Sequence, residues 1–324
     1  MSNVNLTAET YTIPFQGHEL HARVFRPSVS AIGRIFYLHG GGLVFGEPDD
    51  LPSCYVNLFL NAGYELVSLD YPLAPEQGLA VILEAVHAGV MGMLEILGTC
   101  ADSTGSSHLP YYLFGRSAGA YLALMEAKRL CGSKSGADGA DALSTESTAP
   151  AASGSCFTAP SGLLCFYGYH TFDLPEFKKP NAWFTKLPAV SKQTVDSLIQ
   201  TKNGADDATP AFLTSGPMAT RYSIYIYARQ NGCWPELLGT PEDIARYSLS
   251  EEDFALLPPG FFTASSGDQD VPFRESKQMA RKISGSKFFP VYYLEHDFDR
   301  DTSKSEGMQA YQAALAWLKE HETA

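Results

Sequence analysis

The spacing of hydrophobic and polar positions divides the chain into short apolar runs that alternate with longer amphipathic stretches. The apolar runs predict an opening strand pair within residues 11–25 and single strands at 34–38, 65–69, 111–114, 162–169, 261–264 and 288–294. The helical periodicity between them predicts helices at 51–62, from Pro75 to about Gly98, and at 118–130, 273–283 and 307–320. Strands that alternate with helices in this order predict an α/β fold, a mostly parallel sheet with helices on both faces.

Two stretches interrupt this alternation. Residues 131–160 are rich in Ser, Ala, Gly and Thr and have almost no large apolar side chains, which predicts a low-complexity insertion on the surface. Residues 171–258 carry many aromatic residues and several prolines without a strand–helix rhythm, which favours a lid insertion over a separate domain. We therefore expect the 324 residues to form a single α/β domain with two insertions.

Composition and charge narrow the classes of function. A hydrophobic content of 45% and a charged content of 18% are ordinary for a soluble globular protein. The net charge of −13 argues against binding to nucleic acid or to an anionic membrane, because phosphates would repel the chain. Residues 80–97 are apolar, but two glutamates and a histidine interrupt them, so we expect a buried helix there instead of a membrane span.

The cysteines and the first ten residues indicate the cellular compartment of the protein. The six cysteines include no Cys-x-x-Cys pair, and in a chain of this length they are better interpreted as free thiols than as a disulfide framework. Residues 1–10 lack the basic and then apolar pattern of a signal peptide. Both observations predict a cytoplasmic protein.

The most informative motif is Gly-Arg-Ser-Ala-Gly at residues 115–119, between a predicted strand and a predicted helix. The pattern G-x-S-x-G in this context is typical of a nucleophile elbow, a sharp turn that exposes a serine hydroxyl above the sheet. The flanking glycines are required because a side chain there would collide with the neighbouring strand or helix. Ser117 is thus the candidate nucleophile of a serine hydrolase, and Arg116 beside it has no explanation from the sequence.

A serine nucleophile needs a histidine base and a carboxylate that orients the histidine. In α/β hydrolases these residues follow the serine in the order acid and then histidine. Three histidines follow Ser117, namely His170, His296 and His321. His296 comes directly after the predicted strand 288–294, where functional groups of open α/β sheets lie, so it is the candidate base.

Two aspartates compete for the role of the acid. Asp268 and Asp270 both follow the predicted strand 261–264, in the sequence Asp-Gln-Asp-Val-Pro. The spacing Asp-x-x-Val-Pro, which hydrolases often show at this point, selects Asp268. Asp270 would then stand at the start of the next helix, where the helix dipole favours a carboxylate. We prefer Asp268 and keep Asp270 as the alternative.

The hydrogen-bond donors of an oxyanion hole are expected at two places, a glycine-rich loop and the start of a helix. His39-Gly40-Gly41-Gly42 follows the predicted strand 34–38 and matches the HGGG motif of esterases. Glycines let the backbone approach the substrate carbonyl closely, and the N–H of Ala118 lies at the start of the helix after the nucleophile. His39 itself is expected to shape the loop.

Together these motifs resemble the hormone-sensitive-lipase-like branch of α/β-hydrolase esterases. Residues 70–76, Asp-Tyr-Pro-Leu-Ala-Pro-Glu, are similar to the D-Y-R-L-A-P-E segment of that branch, with Pro72 in place of arginine. The resemblance covers about residues 30–130 and 260–300 and implies an α/β-hydrolase fold with a triad of Ser117, Asp268 and His296. It also implies that the N–H groups of Gly41, Gly42 and Ala118 form the oxyanion hole.

The leading hypothesis is a carboxylic-ester hydrolase that acts on small esters with short acyl, acetyl-sugar or aryl groups, without a metal or an organic cofactor. A serine peptidase or an acyltransferase on the same scaffold is the first alternative, because the triad alone does not separate these activities. The second alternative is a non-catalytic ligand-binding relative, which the presence of His296 argues against. The sequence leaves the oligomeric state and the physiological ester undetermined.

Overall fold

The computed structural model describes residues 6–98, 109–132, 159–200 and 209–322. Within these ranges, eight strands form one sheet in the spatial order β1-β2-β4-β3-β5-β6-β7-β8. The strands are β1 (Glu9–Phe15), β2 (His18–Phe25), β3 (Gly33–Leu38), β4 (Tyr64–Leu69), β5 (Tyr111–Arg116), β6 (Gly162–Phe166), β7 (Gly260–Ser265) and β8 (Lys287–Val291). The first two pair antiparallel, β2 pairs antiparallel with β4, and all remaining pairs are parallel. The predicted α/β fold with a mostly parallel sheet is confirmed.

The central strands are buried on both faces, which explains why they are continuous apolar runs instead of alternating ones. Every residue of β3, β4, β5, β6 and β7 is buried. By contrast, β1 and β2 at the edge alternate between exposed and buried residues, as expected for a strand pair with one solvated face. The sequence pattern therefore distinguishes the centre of the sheet from its edge.

Helices cover both faces of the sheet. The helices are α1 (Ser53–Asn61), α2 (Leu79–Ile96), α3 (Ala118–Gly132), α4 (Lys192–Leu198), α5 (Met218–Asn231), α6 (Pro241–Arg246), α7 (Phe273–Lys282) and α8 (Ser305–Glu322). One hydrophobic cluster joins α2, α3 and α7 to one face, and a second cluster joins α1 and α8 to the other. By length and hydropathy α2 could cross a membrane, but it buries eight residues against the sheet and α3, as a core helix does.

Several predicted boundaries are displaced. The helix α2 begins at Leu79 and not at Pro75, which lies in the loop before the helix. The strands predicted at 162–169 and 288–294 end earlier, at Phe166 and Val291. In both cases an apolar run continues past the last ladder hydrogen bond, so hydropathy alone places the end of the strand too late.

The two predicted insertions have different outcomes. Most of the stretch 131–160 lies outside the described residues, although its first two residues end α3. In the stretch 171–258, which we call the helical segment, the described residues form α4, α5 and α6 and short 3₁₀ turns, without a strand of the sheet. Its apolar side chains belong to the same cluster as α2 and α3, so the segment packs on the core of the sheet.

Candidate active site

Ser117 stands at the turn between β5 and α3. Its φ of 54° lies in the left-handed region, which non-glycine residues adopt only where the surrounding structure enforces it. A Cβ added to Gly115 would lie 2.1 Å from the backbone of Gly119, and one added to Gly119 would lie 2.0 Å from the carbonyl oxygen of Leu38. The two glycines of the motif are therefore required by close contacts between strand and helix, as the sequence analysis expected.

The structure brings the candidate nucleophile, base and acid into one chain of hydrogen bonds. His296, in the loop after β8, has its Nε2 2.8 Å from Ser117 Oγ. Its Nδ1 is 2.6 Å from Oδ2 of Asp268, which lies in the loop after β7. The three residues thus meet at the carboxyl ends of neighbouring parallel strands, in the order and geometry of a serine triad.

The two candidate acids have different partners. The side chain of Asp268 is completely buried. Its Oδ1 accepts hydrogen bonds from the backbone N–H groups of Asp270 and Val271, both at 2.9 Å. The carboxylate of Asp270 points elsewhere: it accepts the Tyr225 hydroxyl at 2.9 Å and pairs with Arg229 at 3.0 Å. Of the two, Asp268 alone contacts the histidine.

The electrostatic surroundings of His296 favour its protonated form. Burial acts to lower the pKa, but the charge and the hydrogen bond of Asp268 outweigh it, and the carboxylates of Asp270 and Asp297 add to the effect. The result is a pKa raised to about 9. The imidazole therefore binds a proton more tightly than free histidine, and it can accept the proton of a serine hydroxyl only in its neutral form.

The glycine loop, residues 39–42, follows β3 and faces Ser117. Gly41 and Gly42 have φ values of 95° and 63°, and a Cβ on either would lie within 2.5 Å of Phe45 or Tyr225. The carbonyl of Gly41 accepts N–H groups from residues 44 and 45 at 3.0 and 3.1 Å, which fixes the peptide that carries the Gly42 N–H. Among the described residues, the N–H groups of Gly41, Gly42 and Ala118 have no acceptor, so they are free to bind a developing oxyanion.

His39 and Tyr71 stabilise the glycine loop by stacking and hydrogen bonds. His39 is fully buried, its ring stacks on Tyr71 at 4.1 Å, and its Nδ1 lies 2.9 Å from the Gly40 carbonyl oxygen. The Tyr71 hydroxyl donates to the His39 carbonyl at 2.8 Å. Burial lowers the pKa of His39, so the ring is neutral and acts as a fixed part of the loop.

A cavity of about 230 Å³ opens at Ser117 and His296. Its apolar wall consists of aromatic side chains from the glycine loop region and the helical segment, namely Phe45, Trp183, Phe184, Tyr222 and Tyr225, together with Met218. Six charged residues also line the cavity: Asp50, Arg116, Asp270, Glu295, Asp297 and Arg300. The cavity is at the small end of ligand pockets, so it accommodates a short substrate.

Comparisons with known proteins identify the fold family of the chain. A family model described as the alpha/beta hydrolase fold matches residues 35–284. The chain belongs to the α/β-hydrolase fold family. This confirms the resemblance to esterases and lipases of the α/β-hydrolase superfamily that the motifs indicate.

Individual relatives of this α/β hydrolase support the same family. An alpha/beta hydrolase superfamily protein from Enterococcus faecalis is 31% identical, with a TM-score of 0.75 over 97% of this chain and 99% of its own. A protein of unknown function from Staphylococcus aureus is 27% identical, with a TM-score of 0.76 over 96% and 98%. An esterase from Pyrobaculum calidifontis shares the fold at 19% identity and a TM-score of 0.64, over 98% of this chain and 86% of that one.

Acetyl esterases of Salmonella paratyphi B and Salmonella dublin are 26% identical over 123 residues. The matched region covers 38% of this α/β hydrolase and 37% of those enzymes.

The helical segment supplies contacts to the site of this α/β hydrolase that the sequence analysis did not find. Trp234 is fully buried, and its Nε1 donates to the Gly42 carbonyl at 3.0 Å. Arg221 donates to the Val44 carbonyl at 2.7 Å and pairs with Glu76 at 2.6 Å. The aromatic composition of the segment was visible in the sequence, but it did not indicate which aromatic side chain reaches the glycine loop.

In the described part of this α/β hydrolase, no group of three or more His, Cys, Asp or Glu residues is arranged to hold a metal ion. The acidic residues that line the cavity are paired instead with neighbouring cations. Asp297 pairs with Arg300 at 3.1 Å, and Glu295 pairs with Lys304 at 2.7 Å.

Proposed function

We propose that this α/β hydrolase is a serine esterase that hydrolyses small carboxylic esters through an acyl-enzyme. The observation that carries the proposal is the unbroken chain of hydrogen bonds from Ser117 Oγ through His296 to Asp268. A serine hydroxyl becomes nucleophilic only when a base takes its proton during attack, and this chain supplies the base and the group that orients it.

In the first half of the reaction, Ser117 Oγ attacks the ester carbonyl carbon and His296 Nε2 takes the hydroxyl proton. Asp268 keeps the histidine in the tautomer with its proton on Nδ1 and stabilises the imidazolium that forms. The carbonyl oxygen becomes an anion, and the N–H groups of Gly41, Gly42 and Ala118 bind it. Collapse of this intermediate transfers the proton from His296 to the leaving alcohol and leaves an acyl-enzyme.

In the second half, water repeats these steps. His296 takes a proton from water, the hydroxide attacks the acyl carbonyl, and the same N–H groups bind the second oxyanion. Release of the carboxylic acid returns Ser117 to its starting state. No metal or organic cofactor enters either half.

The cavity and the relatives support a short substrate. A volume of about 230 Å³ suits esters with short acyl groups, including acetyl groups on sugars, and the aromatic wall suits small aryl esters. The name of the Salmonella relatives, acetyl esterase, agrees with this size class. We propose further that residues 1–324 form one domain in which the helical segment is the lid of the pocket.

We also propose that the enzyme works in the cytoplasm. The thiols of Cys54, Cys165 and Cys233 are free, which is the usual state of cysteines in a reducing compartment.

The test is a comparison of p-nitrophenyl acetate with aminoacyl p-nitroanilides, for the wild-type enzyme and Ser117→Ala. We expect hydrolysis of the ester, little cleavage of the anilides, and no ester turnover by the variant at an unchanged melting temperature. Faster cleavage of anilides than of esters would make the enzyme a peptidase. Equal ester turnover by Ser117→Ala would remove the serine from the mechanism.

A screen of p-nitrophenyl esters of increasing acyl length, with acetylated and feruloylated sugars alongside, identifies the substrate class. We expect acetate and propionate to be the best simple esters.

A further inference from the structure

Arg116, the residue before the nucleophile, is a buried cation that the proposed mechanism does not use. It is 4% exposed, although it ends β5 beside the cavity. Its guanidinium meets the carboxylate of Asp299 with Nε 3.1 Å from Oδ2 and Nη2 3.2 Å from Oδ1. Nη2 donates a hydrogen bond to Oδ1, whereas the single N–H of Nε is donated to the Tyr167 hydroxyl, which in turn donates to Oδ1 of Asp299. The direct bond and the bridge through Tyr167 together fix the orientation of both side chains.

Asp299 is completely buried and fully bonded. Its Oδ1 accepts the Tyr167 hydroxyl at 2.7 Å, and its Oδ2 accepts the Tyr311 hydroxyl at 2.8 Å. Its backbone carbonyl accepts the Tyr55 hydroxyl at 3.0 Å. Burial disfavours the charged form of Arg116, but the Asp299 carboxylate together with the neighbouring Tyr167, Tyr37 and Tyr311 outweighs burial and raises the pKa of Arg116 above its usual range.

A buried ion pair is a poor source of stability, because desolvation of two charges offsets their attraction. The effect of the Arg116–Asp299 pair is instead to fix the positions of the segments that it joins.

Residues 292–304, which we call the histidine loop, connect β8 to α8 without regular structure and carry His296. The loop is fixed before the histidine, where Leu294 exchanges two hydrogen bonds with Ser265 at 2.6 and 3.0 Å. It is fixed after the histidine at Asp299, where Arg116 supplies a cation beside the three tyrosine hydroxyls.

The attachment closes a short ring. Arg116 is joined along the chain to Ser117, Ser117 contacts His296, and the histidine loop runs on to Asp299, which returns to Arg116. Tyr167 lies inside this ring: its hydroxyl accepts from Arg116 Nε at 2.7 Å, and its aromatic ring packs edge-on against the His296 ring at 4.8 Å. The separation of nucleophile and base is therefore coupled to the ion pair.

The Arg116 guanidinium also contacts Asp50, in the loop that follows the glycine loop. Nη1 lies 3.3 Å from the Asp50 carbonyl oxygen and 3.5 Å from the Asp50 carboxylate, which also accepts the Tyr37 hydroxyl at 2.5 Å. The Arg116 side chain thus contacts residues that follow three neighbouring strands: Asp50 after β3, Tyr167 after β6 and Asp299 after β8.

From these contacts we infer that Arg116 is a positioning residue, which through Asp299 holds His296 at the distance from Ser117 that proton transfer requires. The inference rests on the proposed esterase function. It assigns a role to the second residue of the G-x-S-x-G motif, which neither the motif nor the triad explains.

The central variant is Arg116→Met, which removes the charge and the hydrogen bonds to Asp299 and Tyr167 but keeps an unbranched side chain of similar length. We expect kcat on p-nitrophenyl acetate to fall about 10- to 100-fold, the cost of a misplacement on the order of 1 Å, while KM changes less than about twofold. Arg116→Lys keeps the charge without the planar set of N–H donors that bond Asp299, Tyr167 and Asp50 together, and it is expected to recover part of kcat. Asp299→Asn should resemble Arg116→Met, and the double variant should lose little more than either single variant, because the pair acts as a unit.

The matched control is Arg34→Met. Arg34 is an equally buried arginine, paired with Glu65 at 2.5 Å, but it lies near the start of β3, at the opposite end of the parallel strands from the site. We expect it to lower the melting temperature and to leave kcat per folded enzyme unchanged. If Arg34→Met lowers kcat as much as Arg116→Met, loss of stability explains the effect and the inference is wrong.

A second measurement covers the case in which Arg116→Met does not fold. Tyr167→Phe removes the hydroxyl that bridges Arg116 and Asp299 but keeps the ring against His296, so we expect a several-fold loss of kcat at unchanged KM. Wild-type kcat in both Tyr167→Phe and Arg116→Lys would overturn the inference. Wild-type enzyme and Ser117→Ala are assayed alongside: an inactive wild type would count against the esterase proposal, whereas an active wild type with unaffected variants counts only against the role of Arg116.

Discussion

Replacement of Asp268 by asparagine tests the assignment of the acid with almost no change in shape. Asp268 Oδ2 lies 2.6 Å from His296 Nδ1, so the carboxylate requires a proton on Nδ1 and leaves Nε2 free to accept one from Ser117. An asparagine whose amide nitrogen faces Nδ1 would donate instead. The proton of the neutral imidazole would then sit on Nε2, 2.8 Å from the serine oxygen, and the base would be blocked.

The structure also shows why the asparagine cannot simply flip. The other carboxylate oxygen accepts two backbone N–H groups at 2.9 Å each, and a flipped amide would place its NH₂ group against both. A buried donor without an acceptor costs about 1–3 kcal/mol, so two cost about 2–6 kcal/mol. That range corresponds to roughly a thirtyfold to 3 × 10⁴-fold loss of kcat, since each 1.36 kcal/mol is about tenfold in rate.

Asp270→Asn is the matched control, because it removes the same charge two residues away in the same pocket. Its carboxylate contacts Tyr225 and Arg229 but not the histidine, so we expect less than about a tenfold loss of kcat. The assay is hydrolysis of p-nitrophenyl acetate under saturating conditions, with the melting temperature of each variant measured in the same buffer. If Asp270→Asn loses as much activity as Asp268→Asn, or if Asp268→Asn keeps more than a tenth, the acid is not Asp268.

Three further predictions concern the base, the oxyanion hole and the pocket. Because His296 must be neutral to act as a base and its pKa is raised to about 9, kcat/KM should fall as pH drops below that pKa, with an apparent value well above 6.5; a profile that is flat from pH 6 to 9 would contradict this. Gly42→Ala should lower kcat roughly 10²- to 10³-fold, because the added Cβ would lie 2.5 Å from the Tyr225 ring and displace one oxyanion donor; a kcat within twofold of wild type would exclude Gly42 from the hole. An ester with an anionic acyl group, such as a p-nitrophenyl hemisuccinate, should be hydrolysed more slowly than the butyrate, because four carboxylates line the cavity with two arginines; equal kcat/KM for both would show that these charges do not reach the substrate.

The sequence predicts those parts of the molecule that depend on local pattern. The fully buried strands β3 and β5 appear as continuous apolar runs, and the elbow at Ser117 has its own five-residue motif with two required glycines. The choice of Asp268 over Asp270 came from a spacing of a few residues, and the structure places Asp268, not Asp270, against the histidine.

Contacts between distant segments could not be predicted in this way. Trp234 reaches Gly42 across 192 residues, and no periodicity connects the two positions. Arg116 has partners 66 and 183 residues away, so its role is visible only after the loops have been placed. The end of β8 was misplaced for a related reason: Tyr292 and Tyr293 continue the apolar run but are 59% and 89% exposed in the turn toward His296.

The distribution of the site along the chain has a consequence for synthesis and refolding. A nascent chain made as far as β7 already carries Ser117 and the glycine loop, but it lacks both Asp268 and His296. Under the proposed mechanism, the serine hydroxyl of such an intermediate lacks its base, so we expect no ester hydrolysis while most of the sheet is being assembled. Recovery of activity would then report the docking of the last strand and the histidine loop instead of the formation of secondary structure.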